Sequence, residues 1–203
     1  MAPVMETLRE ISSGLDEHTA LIGFAGAPFT VALYMIEGRG GTEGTKVRRW
    51  AAERPDEFMA LMNVLCLATS TYLIEQVNCG AEVLQLFDSW AGLLEEKDLP
   101  NYVYAPTLNL VNYVKSLNVP VICFPREIKN YKEFCDIVKP DAVSIDYNVD
   151  PKKILRDIKI PIQGGLDPKI LLTDKETLKK EASNYLEIFK DHPYIFNLGH
   201  GIL

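Results

Sequence analysis

The sequence predicts an α/β fold organised on a parallel sheet. Two observations lead there: short β-rich runs alternate with longer segments of helical period, and most of those runs are near-continuously apolar. The alternation is that of βα units rather than of a bundle or a sandwich. Unbroken apolarity is expected of strands covered on both faces.

Six strands are expected, at Leu21–Gly26, Glu82–Phe87, Pro120–Phe124, Ala142–Asp146, Ile160–Gly164 and Tyr194–Leu198. Between the first two, Phe58, Leu61, Met62, Leu65, Tyr72 and Leu73 recur at helical spacing. Pro55 stands near that helix's start, Asp56 and Glu57 lie in its first turn, and Gly80 lies past its end. Leu110, Val111, Val114 and Leu117 mark another helical face. Asp150-Pro151 and Asp167-Pro168 read as N-cap and first-turn pairs, and Thr173 with Glu176 reads as a capping box before Leu178, Ala182, Tyr185, Leu186 and Phe189. No repeat or linker divides the chain, so residues 1–203 are expected to belong to one domain.

The 203 residues are 47% hydrophobic and 24% charged, an ordinary globular balance. A net charge of -7 without a basic cluster argues against nucleic acid or an anionic membrane surface as partner. Ala20–Ile36 is uncharged, but it holds Gly23, Gly26 and Pro28 and is at the lower length limit for a membrane span. Met1–Ile11 has charged residues and no apolar core, unlike a signal peptide. Cys66, Cys79, Cys123 and Cys135 lack CxxC or His-x-Cys spacing, which points to reduced core thiols in a cytoplasmic protein, with neither a disulfide framework nor a metal.

Parallel strands gather chemistry at their C-terminal ends. Three segments qualify: Gly23–Thr30 running on to Tyr34, Phe87–Gly92, and Asn197–Gly201. Read singly, Tyr34 suits a core tyrosine as well as a site, and Asp88-Ser89 suits an N-cap. His200, between Gly199 and Gly201, favours function, because glycines permit close approach and imidazole exchanges a proton near neutrality. Ser89 lacks the GxSxG elbow of a nucleophile. Gly38–Gly44, reading GRGGTEG, fits neither phosphate-binding glycine motif and reads as a mobile loop beside a site.

Together the segments GFAGAPFT at 23–30, YMIEG at 34–38, LQLFDSWAG at 84–92, IQGGLDP at 162–168 and NLGHG at 197–201 resemble uroporphyrinogen decarboxylase, in order and at its spacing. The resemblance covers essentially the whole chain. It implies a TIM-type (β/α)8 barrel with about six of its eight βα units in these residues, cut at both ends. It further implies a cytoplasmic homodimer that works without a cofactor and converts uroporphyrinogen to coproporphyrinogen. By position, Phe24 matches the aromatic lining the substrate cavity and Tyr34 the catalytic tyrosine. Ser89 and His200 match groups that contact substrate carboxylates. An apolar mouth of Phe24, Phe29 and Leu86 is expected, with Arg39 as an auxiliary cation.

The departures are as informative as the matches. The family's RQAGRY-like segment, with two arginines, and the aspartate that follows it are not found in this sequence. Nor does a helix follow the last expected strand before Leu203. The 203 residues alone are therefore expected to be inactive. Two alternatives stand beside this reading: a cobalamin-dependent methyltransferase of the same superfamily, which needs a His-x-Cys zinc pair that His18, His192 and His200 do not form, and a non-catalytic tetrapyrrole-binding remnant.

Overall fold

A computed structural model describes residues 2–202; Met1 and Leu203 lie outside the described residues. The six expected strands form one sheet in chain order, β1 (Ile22–Gly26), β2 (Val83–Asp88), β3 (Val121–Pro125), β4 (Ala142–Ile145), β5 (Ile162–Gly164) and β6 (Tyr194–Ile195). Every neighbouring pair is parallel. β6 stops at Ile195, and a bridge between Leu166 and Leu198 carries the pairing onward.

Helices cover one face: α1 (Ala2–Gly14), α2 (Pro28–Glu37), α3 (Thr45–Glu53), α4 (Pro55–Asn78), α5 (Ala105–Val114), α6 (Tyr131–Val138), α7 (Pro151–Asp157) and α8 (Lys175–Phe189). α4 has the expected Pro55 start with Asp56 and Glu57 in its first turn, where carboxylates oppose the exposed N–H dipoles. It buries Phe58, Met62, Leu65 and Leu73 against the sheet and its neighbours, each contributing roughly 1.5–3 kcal/mol at most. Among the described residues α4 alone is long and apolar enough to cross a membrane by length and composition. Ala20–Ile36, by contrast, folds as the approach to β1, the strand itself and α2.

Asp150 and Asp167 cap as expected, each accepting at 2.9 Å from the N–H two residues on. The capping box at Thr173 does not form. Asp174 is the N-cap of α8, accepting from the N–H groups of Glu176 and Thr177, while the Thr173 hydroxyl donates backwards to the Ile170 carbonyl at 2.7 Å. A carboxylate one residue later offers the stronger acceptor for the helix donors.

The sheet curls towards a barrel without closing among the described residues. Gln85 on β2 donates to Gln163 on β5 at 2.8 Å, both side chains being buried. In a flat sheet, three strand spacings would separate them by roughly 14 Å, so the bond requires strong curvature. β1 and β6 are the two edges. On β1, alternate residues turn their backbone groups away from β2, and Gln76 of α4 satisfies one of these, accepting from Phe24 N–H and donating to Phe24 C=O, both at 2.9 Å. An amide side chain thus occupies part of an edge that a further strand would otherwise pair.

Candidate active site

Because every strand is parallel, the segments after β1, β2, β3, β4 and β6 emerge on one rim. The β1 exit turns directly into α2, whose first turn carries Thr30 and whose second carries Tyr34. The β2 exit runs through Asp88, Ser89 and Trp90. These two exits are stitched together below the surface. The Thr30 hydroxyl donates to the buried Asp88 carboxylate at 2.7 Å, and its oxygen accepts from Trp90 N–H at 3.3 Å. Asp88 is not an N-cap, and neither is Ser89; the short turn beyond them begins at Trp90 without a side-chain cap. Burial pushes the Asp88 carboxyl up to about 7, partly opposed by its bonds from Thr30.

The stitch fixes Tyr34 relative to Trp90, whose rings meet edge to face with centroids 6.5 Å apart. Tyr34 is 46% exposed among the described residues. The Gly38–Gly44 loop closes over this pair. A Cβ on Gly40 would come within 2.6 Å of the Tyr34 ring, 3.0 Å of its hydroxyl and 3.1 Å of Trp90. Glu37 anchors the loop by accepting from Lys46 and Val47 N–H at the start of α3. The segment is therefore built against Tyr34, with Arg39 exposed on it.

Phe24 projects from β1 on the face without helices and is 60% exposed. It meets Phe87 edge to face at 5.9 Å, and Phe87 meets Phe124 at 6.1 Å, so an aromatic row crosses β1, β2 and β3. Below the row lies the Gln85–Gln163 bond. The expected mouth needs correction here: Phe29 and Leu86 are fully buried in the core beneath the helices. Strand alternation explains Leu86, since its pairing partner is Ala25, whereas Phe87 shares the opposite face with its partner Phe124.

His200 reaches the same rim from the other end of the sheet. Gly199 N–H donates to Leu166 C=O at 2.7 Å, and a Cβ on Gly199 would lie 2.4 Å from Tyr147 N, so only glycine lets this segment seat on the β4 exit. The His200 ring Nδ1 lies 3.1 Å from Gly201 O. Among the described residues no hydrogen bond joins His200 to Tyr34 or Ser89. The structure thus brings Tyr34 and the Ser89 segment together, lines the adjoining interior with Phe24, and places His200 on the same rim by a separate route.

Between them stand groups that the sequence motifs did not mark. Asp146, at the end of β4, is buried and accepts from Glu127 N–H, the Tyr131 hydroxyl and Asn148 N–H, each at 2.9 Å. Arg126 and Glu127 follow β3 and pair with each other at 2.6 Å. A groove of about 510 Å³ between α6 and α7 shares Glu127 and Asp146 with this rim and contains none of Phe24, Tyr34, Ser89 or His200. Among the described residues no three His, Cys, Asp or Glu side chains cluster as a metal site.

Comparison with known proteins decides the family. A sequence profile of uroporphyrinogen decarboxylase matches residues 1–203. The chain belongs to the uroporphyrinogen decarboxylase family. It is 41% identical to the uroporphyrinogen decarboxylase of Wolbachia pipientis, over 99% of this chain and 60% of that protein. It is 42% identical to that of Granulibacter bethesdensis, over 100% of this chain and 62% of the relative. The chain therefore spans about three fifths of the length of the curated relatives it matches. Among solved structures, a methyltransferase from Methanosarcina mazei superposes with a TM-score of 0.81 at 17% identity, covering 98% of this chain and 58% of that one. A B12-independent methionine synthase from Shewanella superposes at 0.60 and 12%, covering 98% and 59%. These two likenesses establish the barrel-type fold and nothing about the reaction.

Proposed function

We propose that this chain supplies six strands and much of the active-site rim of a uroporphyrinogen decarboxylase, which removes CO2 from the four acetate arms to leave coproporphyrinogen. The observation that carries the reading is the aromatic row of Phe24, Phe87 and Phe124 beside a rim bearing Tyr34, Ser89 and His200. An apolar wall with few polar groups suits a broad, flexible macrocycle edged with carboxylates.

Decarboxylation needs an acceptor for the electron pair left by CO2, and many enzymes recruit a cofactor for it. A pyrrole ring can serve instead. Protonation of its α-carbon gives an iminium-like ring that receives the pair as the C–C bond to the acetate carboxylate breaks. Protonation of the resulting exocyclic methylene gives methyl, and loss of the α-carbon proton restores the pyrrole, so one proton is taken up for each CO2 released. The protein's task is then to hold the macrocycle, exclude water and direct donors at carboxylates. Tyr34 and His200 are our candidates for donors, Tyr34 for one that acts in the transition state, and Ser89 for a carboxylate contact. A cytoplasmic homodimer without a cofactor belongs to the same reading.

The 203 residues alone should not turn over. Two sheet edges are unpaired among the described residues, and the sequence has no RQAGRY-like segment to supply arginines. A zinc-thiolate methyl transfer fits less well, because none of His18, His192 and His200 stands in a His-x-Cys ligand pair. The test is CO2 release from uroporphyrinogen by a full-length protein carrying this sequence, with chelator present and no cofactor added. Undiminished release is expected. Loss of release under chelator would overturn the cofactor-free reading.

A further inference from the structure

Arg126 is a half-buried cation on the rim with a buried Nε that has no hydrogen-bond partner. Its N–H donates to Asp88 C=O at 3.1 Å and its own C=O accepts from Gly92 N–H at 3.1 Å, so the β2–β3 ladder continues one residue past β3. The two-residue period of a strand then puts Arg126 on the face of Ile122 and Phe124, the face of the aromatic row. Its side chain is only 13% exposed. Nη2 lies 2.6 Å from Glu127 Oε1, while the buried Nε has no hydrogen-bond partner. Those two N–H groups share one edge of the planar guanidinium, the edge that grips a carboxylate with both oxygens.

Glu127 contacts only the Nη2 side of that edge, and from an awkward position. Its φ is 63°, in the left-handed region that side-chain-bearing residues seldom occupy. Its N–H is fixed by the Asp146 carboxylate, and a Cβ on Gly92 would strike its backbone and Cβ. Strain of this kind collects at sites where a contact must be exchanged. The net charge of -7 adds a need, since an octacarboxylate requires local cations to outweigh the global field.

We propose that Arg126 binds a carboxylate arm of the substrate at the β3 exit, with Glu127 as a stand-in carboxylate that the arm displaces. The proposal rests on the tetrapyrrole reading above. Steady-state kinetics of a full-length protein carrying this sequence test it. Arg126→Met should raise KM for uroporphyrinogen roughly ten- to hundredfold, the scale of a lost charge-assisted bond, and more than it lowers kcat. Arg126→Lys, a point charge without the fork, should fall between Met and Arg. Glu127→Gln, at a side chain 39% exposed, should lower KM by removing the competing charge, and that gain should vanish in the Arg126→Met background. An unchanged KM in either single variant, or an equal Glu127→Gln effect in both backgrounds, would overturn the proposal. If Arg126→Met does not fold, Glu127→Gln still decides. Absence of turnover by the unsubstituted protein would refute the decarboxylase reading instead.

Discussion

The Thr30 hydroxyl and the Asp88 carboxylate meet at 2.7 Å in the protein interior, joining the first turn of α2 to the exit of β2. Because Asp88 sits at about 7 when folded and near 3.8 otherwise, the folded state holds its proton more tightly. Its favourable contribution is complete below about 4 and is lost as pH rises through about 7, by an amount on the order of a few kcal/mol. Asp88→Asn should flatten the fall in stability between those pH values. Urea midpoints measured across the range check this; an unaltered pH slope would contradict it.

Gly40 packs closely against both Tyr34 and Trp90. Gly40→Ala should force the tyrosine ring to move, costing about 1–3 kcal/mol of stability if the loop resists and less if it yields. Turnover in the full-length protein should fall more than stability accounts for. Retention of full kcat would show that the placement of Tyr34 is immaterial.

Tyr34→Phe removes one oxygen and leaves the edge-to-face packing with Trp90 available. If the hydroxyl acts in the transition state, kcat and kcat/KM should drop together while KM changes little. No change in either parameter would return Tyr34 to a packing role.

The Gln85–Gln163 bond ties β2 to β5 across the curl. Either single change to Leu leaves a buried amide unsatisfied and should cost about 1–3 kcal/mol, whereas the double change should cost less than the sum of the two. A double-mutant cycle by urea unfolding of the full-length protein gives the coupling; strict additivity would mean that the two amides do not interact.

The strands were legible because buried parallel strands leave apolar runs, and the helix starts at Pro55, Asp150 and Asp167 because capping chemistry is local. Leu86 and Phe29 leave the cleft for different reasons: the pairing of Leu86 with Cys123 and of Phe87 with Phe124 puts Leu86 on the helix side, while Phe29 sits in the first turn of α2, packed in the core. Asp88 offered a local reading as an N-cap, and its true partner lies 58 residues away. Arg126-Glu127 has no spacing signature at all. Its significance comes from a left-handed φ and an unpartnered Nε, neither of which a sequence displays.

The most direct test of the account is the number of carboxylates left on the product. A full-length protein carrying this sequence, incubated anaerobically with uroporphyrinogen, should yield a series descending from eight carboxylates to four, with four CO2 released per macrocycle. The isolated 203-residue chain should leave the substrate at eight. Undiminished conversion by the isolated chain would contradict the claim that these strands form only part of the catalytic barrel, and failure of both proteins to convert it would contradict the assigned reaction.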